Sequence, residues 1–475
     1  MGLAAAFLLW RLWPDVTEKP LYEDEAISGL ISMRPLPEVL DTVVLDRGGA
    51  PLHFVLAHLA LALDPSPSAL RWLSALCALG AVPLSFDLAR RLAGTPAGVV
   101  AAVVVAASTA LSVYATFGRM YALLVLVAAL FADLYVRALH RRTLGAVAAA
   151  AAAAVLLPAV HPYGAIPAFV ALVAAAVLWR RRSLAPAVVV GTAAAASLPL
   201  VLADLRLADR AAVGAGGSHP LATPGKAWGE LVAALSAFGG GDGLPFLFFT
   251  LLALVGIAVL LREQPAVAAL ALATMIPPLL FVVVRTSSAP DLSPRHLFYG
   301  LPLWAAAIGV GAVRLTRRLP PAVGVAALAG IVLAAAASPP SSLRDPRELG
   351  FASVPQGEHH TIRAGSRDIL IPYSAVFLKE LPDVRSALAL PHAPGDEILR
   401  ALDHANQPIG DVYLAIPTSP WTVRRLRGPF DRAGAVEAVA RTLADTPHPA
   451  ALDRWFAWIE PGLCEALRKL GRPCP

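Results

Sequence analysis

Three carboxylates stand in a row at Glu23-Asp24-Glu25, in a chain where only 33 of 475 residues are Asp or Glu. Acids beside a bilayer cost desolvation energy unless they face water or perform a task. An ionised carboxylate can take the proton of an attacking hydroxyl, the work of a general base. The plainer alternative is a solvated loop that opens a helix, where acids suit the helix dipole. Three arginines recur at the starts of apolar stretches: Arg71 in Arg71-Trp72-Leu73-Ser74, Arg119 in Arg119-Met120-Tyr121, and Arg295 beside His296. The planar guanidinium fork suits phosphate oxygens; the competing role is an interfacial anchor, as for Tyr121. His161 and Tyr163 can bond a headgroup, or the histidine can simply be satisfied within a bundle. His359-His360 makes no metal pair, because adjacent residues project apart and no Cys or carboxylate spacing supports zinc.

The elements that must position these residues are apolar. Hydrophobic residues make up 57% of the chain, charged residues 15%, and mean hydropathy is +0.65. A soluble domain carries about 25% charged residues, so the chain reads as an α-helical polytopic membrane protein. Its net charge of +6 implies no nucleic-acid partner: after residue 337 there are 16 basic and 16 acidic residues, so the excess is confined to the apolar part. The segment 1–13 lacks a basic n-region and a small-residue cleavage site. Either the true start lies upstream, the favoured reading, or this is a shortened first span.

Clear spans follow at 70–89, 96–115, 119–137, 144–160, 163–179, 184–203, 244–262, 265–284, 295–313 and 320–337. The interrupted segment 50–63 is too short to span and reads as interfacial or re-entrant. Basic clusters at Arg90-Arg91, Arg137/Arg141/Arg142, Arg180-Arg181-Arg182, Arg262 and Arg314/Arg317/Arg318 fall at every second turn. The positive-inside rule makes those turns cytoplasmic. About eleven helices result, with the N-terminus inside and the C-terminus outside, in a plasma membrane. The acidic loop 14–69, the turn at 115–119, the His161–Gly164 turn, the loop 204–243, the turn 285–295 and the tail then share the outer face.

The chain divides into a membrane domain at 1–337 and a small extracytoplasmic α/β domain at 338–475, joined by a Pro/Ser-rich linker. Strand patterns at 368–372 and 411–416 and helical spacing at 396–402, 434–443 and 462–470 mark the second domain. No Gly-rich nucleotide loop accompanies them. Cys77 sits within an apolar span and behaves as a small hydrophobe. Cys464 and Cys474 lie in the exported tail and are expected to form a disulfide, provided the chain reverses after Gly471.

An outward carboxylate, outer arginines and a lipid-accessible groove fit group transfer from a lipid-linked phosphate. Asp24 accepts the acceptor's proton while arginines neutralise the departing phosphate. A flippase or transporter would instead carry ionisable residues near mid-span and show repeat symmetry. A third alternative is a non-catalytic polytopic protein whose tail binds a partner.

The order of these motifs resembles that of GT-C glycosyltransferases of the protein O-mannosyltransferase and aminoarabinose-transferase type. Asp24-Glu25-Ala26 after a first span resembles their Asp-Glu signature, and Ala50-Pro51-Leu52-His53-Phe54 their Pro-Pro-Leu-Tyr-Tyr segment. Arg71-Trp72-Leu73-Ser74-Ala75-Leu76 through Ala89-Arg90-Arg91-Leu92-Ala93-Gly94 resembles the helix that follows. Gly118-Arg119-Met120-Tyr121 and Pro294-Arg295-His296 resemble later Arg-Tyr-type marks. The resemblance covers residues 1–310, and the tail matches no family pattern.

The resemblance implies a hexosyl- or pentosyltransferase that uses a polyprenyl-phosphate-linked sugar donor. The acceptor would be an extracytoplasmic glycan, lipid or protein, and Asp24 the catalytic base. Glu25 is expected to position the acceptor or contact a metal, with Mg or Mn left open and no cofactor required. His53, Arg71, Arg119, Tyr121, His161, Tyr163, Arg295 and His296 are the expected substrate-binding residues. Gly49-Ala50 replaces the basic residue that relatives carry before Pro-Pro, so Arg47 is the expected substitute. A lipid-linked glycan ligase or polymerase is the nearest alternative.

Overall fold

A computed structural model describes residues 2–18, 21–22, 25, 28–29, 32, 35–41, 43, 51–64, 67–177, 189–191, 193, 199, 224–275, 294–338, 340–341, 343, 353–354, 369–371, 408, 410–416, 422–446 and 461–471. The first half contains α1 (Gly2–Glu18), β1 (Leu21–Tyr22), α2 (Leu36–Asp41), α3 (Pro51–Leu63), α4 (Pro67–Ala93), α5 (Thr95–Ala107), α6 (Thr109–Ala115), α7 (Tyr121–Arg141), α8 (Leu144–Val160) and α9 (Ala165–Val177). There follow α10 (Pro224–Phe238), α11 (Leu244–Glu263), α12 (Pro265–Leu272), α13 (Leu301–Thr316) and α14 (Pro321–Ala336). The tail holds β2 (Ser353–Val354), β3 (Ile369–Ile371), β4 (Val412–Ile416), β5 (Thr422–Leu426), α15 (Arg432–Asp445) and α16 (Pro461–Lys469).

Among the described residues, four helices are long and apolar enough to cross a membrane: Ser68–Ala93, Tyr121–Arg141, Leu244–Glu263 and Pro294–Thr316. A fifth span results if the bent pair α5–α6 is counted as one. The expectation of eleven spans exceeds this count. α1, α8 and α14 have 17, 17 and 16 residues, short of the ~20 that a straight crossing needs. The segment 184–203 and the second half of 265–284 lie largely outside the described residues.

The central element is α13, almost wholly buried and packed on α11, α5 and α4. Small residues permit this closeness. A methyl group added at Gly256 would collide with the Ala307 carbonyl oxygen, and one at Gly311 with that of Leu252. Backbones in apolar bundles approach where such residues line the crossing. α4 in turn packs on α5 and α7, and α1 lies along α4 and α5. Leu244, Leu247, Leu251 and Leu254 on α11 are exposed, as befits a helix face turned to lipid.

The expected single span at 96–115 is broken. Its halves meet at 53°, because Ser108 leaves the helical conformation and caps the second half. Its Oγ accepts from the Leu111 N–H at 3.3 Å and donates to the Ala237 carbonyl at 2.7 Å. The start of the tail seats on the same bend, where the Ser341 N–H donates to Thr109 Oγ1 at 3.0 Å.

One end of the bundle is basic. Asp133 is fully buried and pairs with Arg91 at 2.8 Å and Arg137 at 2.5 Å. Asp87 pairs with Arg90, Arg91 and Arg137. Arg317 joins this end by donating to the Ala93 carbonyl. Part of the basic signal counted for orientation is therefore matched by carboxylates on neighbouring helix turns.

In the tail, β3 runs parallel to β4 and β5 antiparallel to it. The expected strands fall at β3 and β4, and α15 and α16 fall on two of the expected helices, whereas 396–402 lies outside the described residues. β5 escapes an apolar pattern because it carries exposed Arg424 and Arg425, the latter paired with Asp411 at 2.5 Å. β2 pairs with β1 at the other end of the sequence, Leu21 opposite Val354 and Tyr22 opposite Ser353.

Candidate active site

The end opposite the basic cluster gathers the polar motifs. Glu25 lies at its centre with no solvent exposure. Its Oε1 accepts from Arg71 Nε at 3.0 Å and its Oε2 from an Arg71 terminal nitrogen at 3.2 Å. Oε1 also accepts from the Gly118 N–H at 2.9 Å. This stitches three separate segments together: the acidic stretch, the first turns of α4, and the turn between α6 and α7. Gly118 eases the close approach, since an added methyl would lie tightly, 3.0 Å, against the Leu70 Cβ and in contact, at 3.5 Å, with Glu25 Oε1.

The next residue is Arg119. One of its terminal nitrogens donates to Ser28 Oγ at 3.0 Å, and its carbonyl accepts from Ser74 Oγ at 3.3 Å. Ser28 stands close after Glu25, and Ser74 stands three residues after Arg71 on α4, so the same two segments that hold Glu25 also hold Arg119. Sequence reasoning gives neither serine a role, although Ser74 stands in the Arg71-Trp72-Leu73-Ser74 motif. Their only signal is spacing from a charged neighbour, and a serine in a bundle has many other uses.

A second group adjoins the first. Tyr121 opens α7, and the Arg295 guanidinium lies over its ring at 5.6 Å. His161, in the turn after α8, lies 6.0 Å from Tyr121 and 5.7 Å from His296, ring centre to ring centre. Tyr163 and His296 stack nearly parallel at 4.9 Å. Gly164 permits this turn, because a methyl there would collide with the Leu157 carbonyl. Behind these rings, Tyr114 and Phe298 pack edge-on at 4.9 Å; apolar packing of this kind fixes the polar rim but is silent in a motif search.

The electrostatics link both groups. Burial first, then the charges of Arg295 and Arg119, push the His161 imidazole down to about 3. Burial and Arg119 likewise hold His53 at about 3, against a weaker opposing pull from the Gly118 backbone. Two guanidinium groups far apart in sequence thus act on one neutral imidazole.

The structure brings together Glu25, His53, Arg71, Arg119, Tyr121, His161, Tyr163, Arg295 and His296. Asp24 and Arg47 lie outside the described residues, as does Cys474. Two expected roles meet a different geometry. Arg71 is 3% exposed and its guanidinium is engaged by Glu25, so it faces a protein carboxylate rather than open space for phosphate. Both Glu25 oxygens accept protein donors, which leaves this carboxylate tied into the scaffold. Among the described residues, no three His, Cys, Asp or Glu side chains gather closely enough to hold a metal ion.

No family model matches the chain, and no curated protein does. Solved structures do. ArnT from Cupriavidus metallidurans in the apo state is 19% identical, with a TM-score of 0.48 over 69% of this chain and 62% of that one. The same protein bound to undecaprenyl phosphate is 20% identical, with a TM-score of 0.44 over 70% and 61%. The Archaeoglobus fulgidus oligosaccharyltransferase in complex with Zn and sulfate is 15% identical, with a TM-score of 0.44 over 71% and 51%. The chain spans at most 62% of the length of these three structures.

Proposed function

We propose that the chain is an integral-membrane glycosyltransferase that moves a sugar from a polyprenyl-phosphate donor to an extracytoplasmic glycan, lipid or protein. The observation that carries this reading is the gathering of Arg119 and Arg295 about Tyr121 and His161: the Arg295 guanidinium lies 5.6 Å from the Tyr121 ring, that ring lies 6.0 Å from His161, and Arg119 stands two residues before Tyr121, at the bundle end that also holds Glu25. Paired guanidinium groups at a largely buried site suit a departing phosphate, since preorganised charges act strongly where water is excluded. The orientation rests on the opposite end, where the basic residues mark the cytoplasmic side. An outer-leaflet site has no nucleotide sugars within reach, so a lipid-linked donor is the chemically sensible source.

In this reading the acceptor hydroxyl attacks the anomeric carbon and gives its proton to Asp24. The bond from that carbon to the phosphate oxygen breaks, and the polyprenyl phosphate leaves with the bonding electrons. Arg119 and Arg295 neutralise the charge it gains. Glu25 and Arg71 hold the frame in which this happens. A transporter is served less well, because the buried Asp133 is already ion-paired by Arg91 and Arg137.

Donor titrations of Arg119→Ala and Arg295→Ala test the proposal. Each is expected to weaken apparent donor affinity by about tenfold or more, the scale of one lost charge-assisted contact, with acceptor affinity little changed. Unchanged donor affinity in both variants would return these arginines to the role of interfacial anchors.

A further inference from the structure

Gly118 and Arg119 meet the acidic segment through Glu25 and Ser28, and both follow closely on α6. That helix has seven residues and starts at the break, so whatever holds its first residue sets where its far end falls. Over ~10 Å of helix, a tilt of about 5° moves the far end by about 1 Å, more than the ~0.5 Å spread of N–H···O distances. The break is held from three sides. Arg11, a charge on apolar α1, donates at 3.0 Å to the carbonyl of Ala107, the last residue of α5; a helix end leaves such carbonyls without partners of its own. Ser108 is held through the Ala237 carbonyl on α10. These two contacts fix the near side of the break. Thr109, the first residue of α6, is held by the tail, since its Oγ1 accepts the Ser341 N–H.

The same part of the tail reaches the other side of the site. β2 pairs with Leu21–Tyr22, the strand that leads toward Glu25 and Ser28. A mere tether between two domains needs no specific seat, yet Ser341 is buried and its Oγ accepts from the Leu343 N–H at 3.3 Å. Leu343 in turn packs on the apolar core of the bundle. The start of the tail thus grips both segments whose meeting makes the Gly118–Glu25 and Arg119–Ser28 hydrogen bonds. We propose that it is a clasp, and that Thr109, seized by Ser341, is a positioning residue that acts through α6 on Gly118 and Arg119. Only the consequence for the lipid-phosphate donor rests on the transferase reading above: with the clasp undone, Arg119 no longer stands where that donor needs it.

The test compares full-length wild type, Thr109→Val and Thr109→Ser in detergent. Amide hydrogen exchange is followed at 117–119 and along α7, and a polyprenyl monophosphate is titrated into each protein. In Thr109→Val, exchange at the Gly118 amide is expected to rise about tenfold, the scale of one lost hydrogen bond opening a local contact. Exchange along α7 and the ligand-free unfolding temperature are expected to stay near wild type, while affinity for the lipid phosphate falls several-fold. Thr109→Ser keeps the hydroxyl and is expected to match wild type in every reading. If Thr109→Val does not fold, Ser341→Pro, which removes the N–H donor and leaves the bundle sequence untouched, carries the same readings. Unchanged exchange at 117–119 would overturn the clasp. So would faster exchange that spreads along α7, because a general loosening is all that a purely structural contact predicts. Faster exchange at 117–119 with undiminished lipid-phosphate affinity would overturn the positioning of Arg119. A wild type indifferent to the lipid phosphate would overturn the transferase reading instead, and the exchange measurement alone would then decide the clasp.

Discussion

Glu25 and Arg71, 46 residues apart, form a two-point ion pair wholly inside the protein, with contacts of 3.0 and 3.2 Å. Breaking a buried pair by removing one charge is costly, whereas replacing both partners with apolar side chains is often close to neutral. Glu25→Gln is therefore expected to lower stability by up to about 3–5 kcal/mol, because the buried Arg71 guanidinium loses a charged partner at both contacts. The double replacement Glu25→Met with Arg71→Leu is expected to recover most of that loss. Denaturation in detergent checks both. If Glu25→Gln unfolds like wild type, the pair is not the frame described above.

Asp24 is expected to behave differently from its neighbour. Asp24→Asn keeps size but cannot accept a proton, so transfer is expected to fall by about 10²–10⁴ with the unfolding transition unmoved. Turnover assays on protein of verified fold decide the matter. Near-normal turnover would reduce the acidic cluster to a solvated helix start.

Depressed histidines set a pH dependence; burial and Arg295 also hold His296 well below the ordinary imidazole range. His53 and His161 sit near 3 in the folded protein, against about 6.5 in an unfolded chain. Between those values the unfolded state binds protons that the folded state refuses, so stability rises with pH across that window. It is fully present above about 6.5 and is lost progressively as pH falls toward 3. Unfolding temperatures measured at pH 8, 6 and 4.5 should decline in that order, and His161→Phe should flatten the decline. A wild-type protein with equal transitions at all three values would contradict the burial of these rings.

Orientation is open to a direct measurement. A reporter fused after Ser338 is expected to be exported, and Cys464 and Cys474 are then expected to be bridged in protein purified without reductant. A cytoplasmic signal at that fusion point would place the site on the other face and remove the argument for a lipid-linked donor.

Much of the site was legible because its residues belong to marked motifs. Arg119 and Tyr121, His161 and Tyr163, and Arg295 and His296 each begin or end an apolar stretch, and the structure places them at one end of the bundle. What stayed hidden is pairing. An arginine before an apolar run suits phosphate and carboxylate equally, so nothing in the residues around Arg71 discloses Glu25. The Gly118 N–H is a backbone donor and leaves no trace in residue type. The Asp87–Arg91 and Asp133–Arg137 pairs did leave a trace, their four-residue spacing, but arginines at helix ends are read first as orientation signals. The break at Ser108 was masked by an apolar run that continues through it.

The pairing of Leu21–Tyr22 with Ser353–Val354 bears on how the molecule is made. Chains fold in the order in which they emerge, and these partners are separated by roughly 330 residues of synthesis. The strand that leads into the acidic segment must wait, edge open, while the helices insert one after another. Its partner comes only with the tail. A chain released before residue 353 would own every arginine of the site and still lack the strand that pairs with Leu21–Tyr22, so that pairing waits until the helices of the bundle have been made.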